Sequence, residues 1–337
     1  MKLACNAPLR EKGSLSAIRR RLDLAWKRLF RHSQWNIGIL PFPAGSLVRP
    51  GAYSDAAIEW FPLDNRKRFL ADPFGLMRDG KVHVLCEDFV YRSGKGSICS
   101  ITYSDHRFTN EPESAIDLPV HMSYPFLVEA DGEIYCIPET SRADEVALYQ
   151  AVEFPRKWRK AAVLLEHFRG VDPTVFRHDG RWWLMCTKKG SGADSRLWIW
   201  HASGLRGLWM PHARNPVKTD VCSARPGGAP FVHEGVLYRP AQDCSRTYGG
   251  RIVIQRVTAL TPTEFAEEPV TAIEASPESP FPLGRHTLTP VGDMVLIDGH
   301  REVFIWDSLR YFLKIWARDL WTKLRTGRSK FEETPTA

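Results

Sequence analysis

The sequence lacks any apolar run of about 18 residues, the length that a membrane-spanning helix requires. It also lacks a CxxC pair and any Cys/His spacing typical of a zinc site, although it contains seven cysteines. Its first ten residues contain no continuous apolar segment of the secretory type. We therefore expect a cytoplasmic protein with reduced cysteines, no metal and no cofactor.

Acidic residues are scarce at both ends of the chain. The net charge is +7, with +7 in residues 1–35, +6 in residues 308–330 and −4 in residues 36–307. Apolar residues recur at helical spacing in both ends, so we predict short basic amphipathic helices within residues 1–34 and 304–337. These helices either lie on an anionic membrane surface, at the inner face, or pack on each other or on the rest of the chain. No nucleic-acid-binding motif accompanies the charge, so we expect no nucleic acid partner.

What the sequence does contain is a fivefold repeat. Each copy has a polar residue, often followed by Pro, then an apolar stretch, a tight turn, a second apolar stretch and another polar residue; the copies begin near Asp72, Tyr124, Asp172, Pro230 and His286. Strand–turn–strand repeats of roughly 50 residues are typical of β-propellers. We predict an all-β, five-bladed propeller over residues 35–303, in which the early segment Trp35–Leu40 completes the last blade.

Polar residues occupy equivalent positions in the copies when these are superposed on their turn glycines. One set precedes the inner strands: Asp72, Tyr124 and Asp172. The other set follows the second strands and includes Glu87, Asp88, Glu139, Lys188, Gln242, Asp243, Asp298 and His300. Because the residue type differs from blade to blade, we predict a catalytic or binding site on the propeller axis.

The fourth repeat concentrates planar hydrogen-bonding groups, namely Arg225, Arg239, Gln242, Asp243, Arg246 and Tyr248. Arginine forks suit phosphate or carboxylate groups, whereas the other side chains suit sugar hydroxyls. The alternative is that these residues form structural ion pairs around the channel. His286 and His300 are candidates for proton transfer or for structural hydrogen bonds.

Two of these aspartates resemble known catalytic residues. Asp72 in Ala-Asp-Pro and Asp172 in Val-Asp-Pro-Thr resemble the first- and third-blade aspartates of the five-bladed arabinanase, levansucrase and invertase superfamily, which includes glycoside hydrolase family 43. The resemblance implies that Asp72 is the base or nucleophile. It also implies that Asp172 orients the catalytic groups and tunes their pKa values. Where that superfamily has its acidic Glu, this sequence has Arg225-Pro-Gly-Gly and no Glu. Because glycosidic chemistry needs two carboxyl groups, Glu139 is our candidate acid.

A closer resemblance, over roughly residues 35–303, is to the N-terminal domain family of plant glucosamine inositolphosphorylceramide transferases. The strings that carry it are Phe69-Leu-Ala-Asp-Pro-Phe74, Ser123-Tyr-Pro-Phe126, Ile137-Pro-Glu-Thr140, Asp172-Pro-Thr174, Arg181-Trp-Trp183, Arg225-Pro-Gly-Gly228, Leu237-Tyr-Arg-Pro-Ala-Gln-Asp-Cys244, Tyr248-Gly249, His286-Thr287 and Ile297-Asp-Gly299. It implies a five-bladed propeller that takes part in glycolipid or surface-glycan synthesis.

We expect a carbohydrate-active propeller that transfers or hydrolyses a glycosyl group of an anionic or lipid-linked glycan. Its substrate would be a glycan, a sugar phosphate or a glycolipid. The alternative is a non-catalytic module that presents such a ligand to a partner glycosyltransferase or formyltransferase. The missing fourth-blade Glu and the short segments outside the propeller favour this alternative. A third interpretation is a scaffold whose channel is only core.

Overall fold

The computed structural model describes residues 31–49 and 51–305, which form β-strands and three short 3-10 helices. None of the helices in this part of the chain is long and apolar enough to cross a membrane. One compact unit spans Trp35–Arg301. In the other unit, Arg31 and Glu302 form an exposed ion pair at 3.0 Å. The predicted C-terminal helix and most of the N-terminal one lie outside the described residues.

Five antiparallel sheets form the five predicted blades. The described part of the chain begins with strands β1 (Arg31–Leu40) and β2 (Glu59–Trp60), separated by the 3-10 helices Ala44–Val48 and Asp55–Ala57. The first blade follows, with β3 (Arg68–Arg78), β4 (Lys81–Val90), β5 (Lys95–Ser104), β6 (Arg107–Phe108) and β7 (Glu113–Ile116). The second blade contains β8 (Ser123–Ala130), β9 (Glu133–Glu139), the 3-10 helix Ser141–Ala143, β10 (Glu145–Glu153) and β11 (Lys157–Glu166).

The remaining blades repeat this order. The third contains β12 (Gly170–His178), β13 (Arg181–Lys188), β14 (Arg196–Ala202), β15 (Met210–Pro211) and β16 (Lys218–Thr219). The fourth contains β17 (Phe231–His233), β18 (Val236–Asp243), β19 (Arg251–Leu260) and β20 (Phe265–Ile273). The fifth begins with β21 (Leu288–Val291) and β22 (Met294–Phe304).

The first strand of the chain closes the ring, as predicted. The fifth sheet has the order β21-β22-β1-β2, so it combines the last two strands with the first two. Residues 31–34, which we predicted as the end of a helix, instead begin β1. That prediction was wrong because these residues extend the strand that pairs with β22. Ile37 and Ile39 of β1 are fully buried. Apolar packing therefore stabilises the closure of the ring, in addition to the hydrogen bonds between β1 and β22.

The hairpins between inner and second strands follow the predicted turn chemistry. Asp79-Gly80, Asp131-Gly132, Asp179-Gly180 and Glu234-Gly235 all have positive φ at both residues. Such two-residue turns match the right-handed twist of the flanking strands and fix their register. In the first blade, for example, Arg78 pairs with Lys81 and Met77 with Val82.

The inner strands contain a feature that the repeat did not predict. Asp72, Tyr124 and Asp172 have left-handed backbones, with φ of 52°, 46° and 52°, and the strand register shifts at each. Each is therefore a β-bulge, and the Pro that follows has no N–H to lose from the interrupted ladder. Because a bulge redirects a side chain, these three residues leave the alternation of the strand.

Candidate functional site

Carboxylates link each of three blades to the bulged backbone of the next. The Asp72 N–H donates to Asp298 Oδ2, the Tyr124 N–H to Asp72 Oδ2 and the Asp172 N–H to Glu139 Oε2, each at 3.2 Å. The acceptors lie in the fifth, first and second blades, and the donors lie one blade further round. The bulges therefore bring acids from separate blades together, as the repeat alignment predicts for Asp72, Glu139, Asp172 and Asp298.

His286 lies between two of these acids. Its Nδ1 is 2.6 Å from Asp298 Oδ2, and its Nε2 is 3.3 Å from Asp72 Oδ1. Burial works against the imidazolium, but the two carboxylates prevail and raise the pKa of His286. Trp35 stacks on the imidazole at a centroid distance of 3.9 Å and fixes the plane of the ring.

The two carboxyl groups beside His286 differ in acidity. Burial raises the pKa of Asp72 to about 6, with Asp172 and Asp298 adding to the effect while His286 and Thr287 oppose it. Burial also disfavours ionised Asp298, yet His286 and the backbone N–H groups of His286 and Thr287 lower its pKa. Asp298 is thus a fixed anion, and Asp72 is poised to exchange a proton near neutral pH.

Asp172 is held by the fourth blade. Its Oδ2 accepts hydrogen bonds from Arg225 Nε at 2.6 Å and from Gln242 Nε2 at 2.8 Å. Burial raises the pKa of Asp172 to about 6 even though Arg225 opposes the shift. The guanidinium of Arg225 also binds Asp194 and lies 4.7 Å from the centre of the Tyr248 ring. The fourth-blade Arg and Gln therefore act on Asp172, which leaves Arg225 paired with two carboxylates.

Glu87 and Glu139 have contrasting environments. Glu139 accepts hydrogen bonds from Ser141 Oγ at 2.9 Å and from the Asp172 N–H. Glu87 is 6% exposed, and its Oε1 has no hydrogen-bond partner among the described residues. Burial, followed by repulsion from Asp72 and Glu139, raises the pKa of Glu87 well above its ordinary value. Glu87 is thus the carboxyl group that is best suited to hold a proton.

Tyr124 connects three blades at the axis. Its hydroxyl lies 2.9 Å from Thr174 Oγ1 and accepts a hydrogen bond of 2.8 Å from the Gly228 N–H. The backbone of Gly228 runs so close to Leu288 of the fifth blade that a Cβ there would lie 1.8 Å from the Leu288 carbonyl oxygen. The side chain of Tyr124 therefore joins the second, third and fourth blades, and its bulged N–H binds Asp72.

Several predicted site residues lie in ion pairs of a single blade. Asp88 binds Arg68, Asp243 binds Arg251, and the buried Arg239 binds both oxygens of Glu267 in the outer strand β20. These ion pairs lie within one blade and do not involve the carboxylates of the acid cluster. Two further residues, Lys188 and Arg246, are exposed, and His300 stacks on Trp35 at 4.7 Å.

Sequence reasoning missed three residues that contact the cluster: Trp35, His121 and Thr287. Thr287 Oγ1 donates to Asp72 Oδ1 at 2.7 Å. His121 accepts a hydrogen bond from the Gly96 N–H at Nδ1, and its Nε2 lies 3.6 Å from Glu87 Oε1. Thr287 directly follows the predicted His286, but Trp35 and His121 lie outside the aligned repeat positions, so the repeat gave no signal for them.

Asp72, His286 and Asp298 form the group of described residues whose ligand atoms come close enough together, within 4.8 Å, to hold a metal ion. Each ring nitrogen of His286 faces one of the two carboxylates, so the three side chains also suit a chain of hydrogen bonds.

The fold and the cluster can now be compared with known proteins. A model of the family described as "Glucosamine inositolphosphorylceramide transferase 1, N-terminal" matches residues 61–279. The chain belongs to this family. Glucosamine inositolphosphorylceramide transferase 1 of Arabidopsis thaliana is 36% identical over 215 residues, and that of Oryza sativa subsp. japonica is 35% identical over 208 residues. These matches cover 62% and 60% of this chain but only 28% of either relative.

Solved structures support the propeller assignment for this family member. An α-L-arabinofuranosidase from Podospora anserina has a TM-score of 0.51 at 11% identity, over 71% of this chain and 93% of its own. A family 117 glycoside hydrolase from Zobellia galactanivorans has a TM-score of 0.50 at 14% identity, over 80% and 90% of the two chains. Family 43 glycoside hydrolases are also among the similar structures. At such identities the likeness concerns the fold alone.

Proposed function

We propose that this propeller acts on the glycosyl group of an anionic glycolipid through the acids of its axis. The observation that carries the proposal is the contrast between Asp72 and Glu87. Asp72 has a pKa of about 6 and four polar neighbours. Glu87 is buried, its pKa is raised well above the ordinary value, and one of its oxygens has no hydrogen-bond partner among the described residues. A base and an acid with such separated environments are what glycosyl chemistry requires.

The proposed roles follow from the contacts. Asp72 serves as the base or nucleophile, and Thr287 and His286 hold its Oδ1 in place. Asp172 orients the site through its own contact with Glu139. We assign the acid role to Glu87 rather than Glu139, because both oxygens of Glu139 already accept hydrogen bonds.

The substrate class is proposed from the family. The curated relatives are named glucosamine inositolphosphorylceramide transferases, and this chain matches 28% of their length. We propose a glycosylated or glycosyl-accepting inositol phospholipid as the substrate, met at the cytoplasmic membrane face. The basic segments within residues 1–34 and 304–337 would assist there by attraction to anionic lipids.

The test is a product assay on the full chain. Purified protein is incubated with inositol phospholipid and a panel of nucleotide sugars, and separately with glycosylated inositol phospholipid in water, and products are read by mass spectrometry. We expect a product that Asp72→Asn and Glu87→Gln abolish and that Glu139→Gln reduces less than Glu87→Gln does. A variant Asp72→Asn that is folded and as active as wild type would overturn the catalytic proposal.

A second candidate is a non-catalytic module that binds the glycolipid for a partner transferase. Two observations favour it: the acids are at most 6% exposed, and Arg225 and Gln242 occupy the fourth-blade region where the hydrolase superfamily has its acid. This candidate predicts that wild type and Asp72→Asn bind glycolipid vesicles equally and that neither forms a product.

A further inference from the structure

Two of the three arginines predicted to bind an anion are already neutralised in the structure. Arg225 pairs with Asp172 and Asp194, and Arg239 pairs with Glu267. An anionic ligand at this end of the propeller therefore needs partners other than these two arginines. The loops that precede inner strands and follow second strands can supply them, because these loops flank the strand residues of the acid cluster.

Three side chains on these loops form a group that we call the cationic rim: His121, Arg142 and Lys189. His121 lies just before β8, Arg142 lies in the 3-10 helix after β9, and Lys189 directly follows β13. Arg142 and Lys189 are exposed, and neither makes an ion pair or side-chain hydrogen bond within residues 31–49 and 51–305.

Hydrogen bonds connect the loops of Arg142 and Lys189 to the acids. The Lys189 N–H donates to the Arg169 carbonyl at 2.9 Å, and Arg169 Nε donates to the Ser141 carbonyl at 3.2 Å, beside Arg142. Ser141 in turn binds Glu139. The loops of the second and third blades are thus connected directly to the carboxylate that supports Asp172.

His121 supplies a directed hydrogen-bond donor. Burial lowers its pKa to about 4, and Arg142, Lys189 and Lys95 add to the effect, so the ring is neutral at neutral pH. Its Nδ1 accepts the Gly96 N–H, which leaves the proton on Nε2. The Nε2 atom lies 3.6 Å from Glu87 Oε1, beyond hydrogen-bond range, and this buried oxygen has no hydrogen-bond partner among the described residues.

We propose that the cationic rim binds the phosphate of the substrate, with Arg142 and Lys189 neutralising its charge and the His121 Nε2–H donating to a phosphate oxygen. The two cations and the neutral donor suit a phosphodiester, which carries one negative charge and two terminal oxygens. The proposal rests on the proposed function in one respect, since the phosphate would belong to the same glycolipid. It would place the attached sugar next to Glu87.

The test measures binding rather than turnover. Full-length protein is titrated with soluble glycerophosphoinositol, with phosphatidylcholine vesicles that contain phosphatidylinositol, and with vesicles of equal charge that contain phosphatidylserine. Arg142→Gln/Lys189→Gln should weaken phosphatidylinositol binding by about tenfold or more, the factor for losing charge-assisted hydrogen bonds. If the double variant also binds glycerophosphoinositol more weakly, the site recognises the phosphate itself. If only its binding to phosphatidylinositol vesicles is weaker, the site requires the lipid.

The matched control removes two charges from the opposite ends of the inner hairpins. Lys81→Gln/Arg177→Gln changes two exposed cations near the turns and should bind like wild type. Equal losses on phosphatidylserine and phosphatidylinositol vesicles, with no change for glycerophosphoinositol, would mean bulk surface attraction and would overturn the proposal. So would unchanged binding in all three assays. Because binding is measured without turnover, a failure of this test and a failure of the product assay are separate results.

Discussion

The hydroxyl of Thr287 donates a hydrogen bond of 2.7 Å to Oδ1 of Asp72, and this contact joins the fifth blade to the first. It favours the ionised carboxylate, against the burial that raises the pKa of Asp72 to about 6. Replacing Thr287 with Val removes the donor and keeps the shape. We expect the pKa of Asp72 to rise further, as measured by carbon-13 NMR of its carboxyl group, and the free energy of unfolding to fall by about 1 kcal/mol.

Thr289, two residues along the same segment, is the matched control. It is buried too, but its Oγ1 has no hydrogen-bond partner among the described residues. Thr289→Val should leave the pKa of Asp72 unchanged and should keep or slightly increase stability, because no buried polar bond is lost. Equal pKa changes in both variants would mean that the Thr287 hydroxyl does not tune Asp72.

A second prediction concerns the pH dependence of stability through Glu87. Because its pKa is raised in the folded state, the folded protein keeps this proton to higher pH than the unfolded chain does. Stability therefore falls as pH rises above the unfolded value of about 4.3. Glu87→Gln removes this loss, so its stability relative to wild type should increase by about 1.4 kcal/mol per pH unit until the folded pKa is reached.

Urea unfolding of both proteins at several pH values between about 4 and 8 gives the difference curve, in which the contributions of Asp72 and Asp172 cancel. The two proteins should be equally stable at the acid end and should diverge above it. A constant difference at every pH would show that Glu87 ionises equally in the folded and unfolded states.

The fold was predictable from the sequence because its determinants are local and repeated. Each Asp-Gly or Glu-Gly turn specifies its own hairpin, and the alternation of apolar residues specifies the buried faces. The bulges were not predictable, because a left-handed backbone at Asp72 is not signalled by its residue type alone. The repeat alignment did identify these three positions as equivalent, because a Pro follows the bulged residue in each of the three repeats.

The site was predictable only as a set of positions. The alignment identified Asp72, Asp172 and Asp298, which the bulges and ring closure bring together. It could not say which of the arginines face the axis, because that depends on partners distant in the chain. Arg225 reaches Asp172 from the next blade, whereas Arg239 binds Glu267 within its own.

A third prediction tests the position of Arg239. Its guanidinium is 1% exposed and binds both oxygens of Glu267, which is equally buried. Arg239→Met leaves the buried carboxylate with Lys218 as its remaining ion-pair partner among the described residues, and should destabilise the protein by about 3–5 kcal/mol in urea unfolding. Adding Glu267→Gln should restore a large part of that loss. Ligand binding by the folded double variant should equal that of wild type; a loss of binding would make Arg239 a substrate contact instead.

The last prediction concerns the Arg-Pro-Gly-Gly segment, where the need for glycine comes from a close approach of two blades. Gly228 has φ of 123°, and a Cβ there would lie 1.8 Å from the Leu288 carbonyl oxygen. Gly132 also has positive φ, at 77°, but a Cβ there would meet nothing within 4 Å.

Gly132→Ala should therefore cost only the backbone strain of about 1–2 kcal/mol. Gly228→Ala should lower the free energy of unfolding several times more. The Leu288 backbone must move away, and this movement also disrupts the hydrogen bond from the Gly228 N–H to the Tyr124 hydroxyl. Thermal unfolding of the two variants compares them directly, and similar melting temperatures would show that the fourth and fifth blades tolerate separation at the axis.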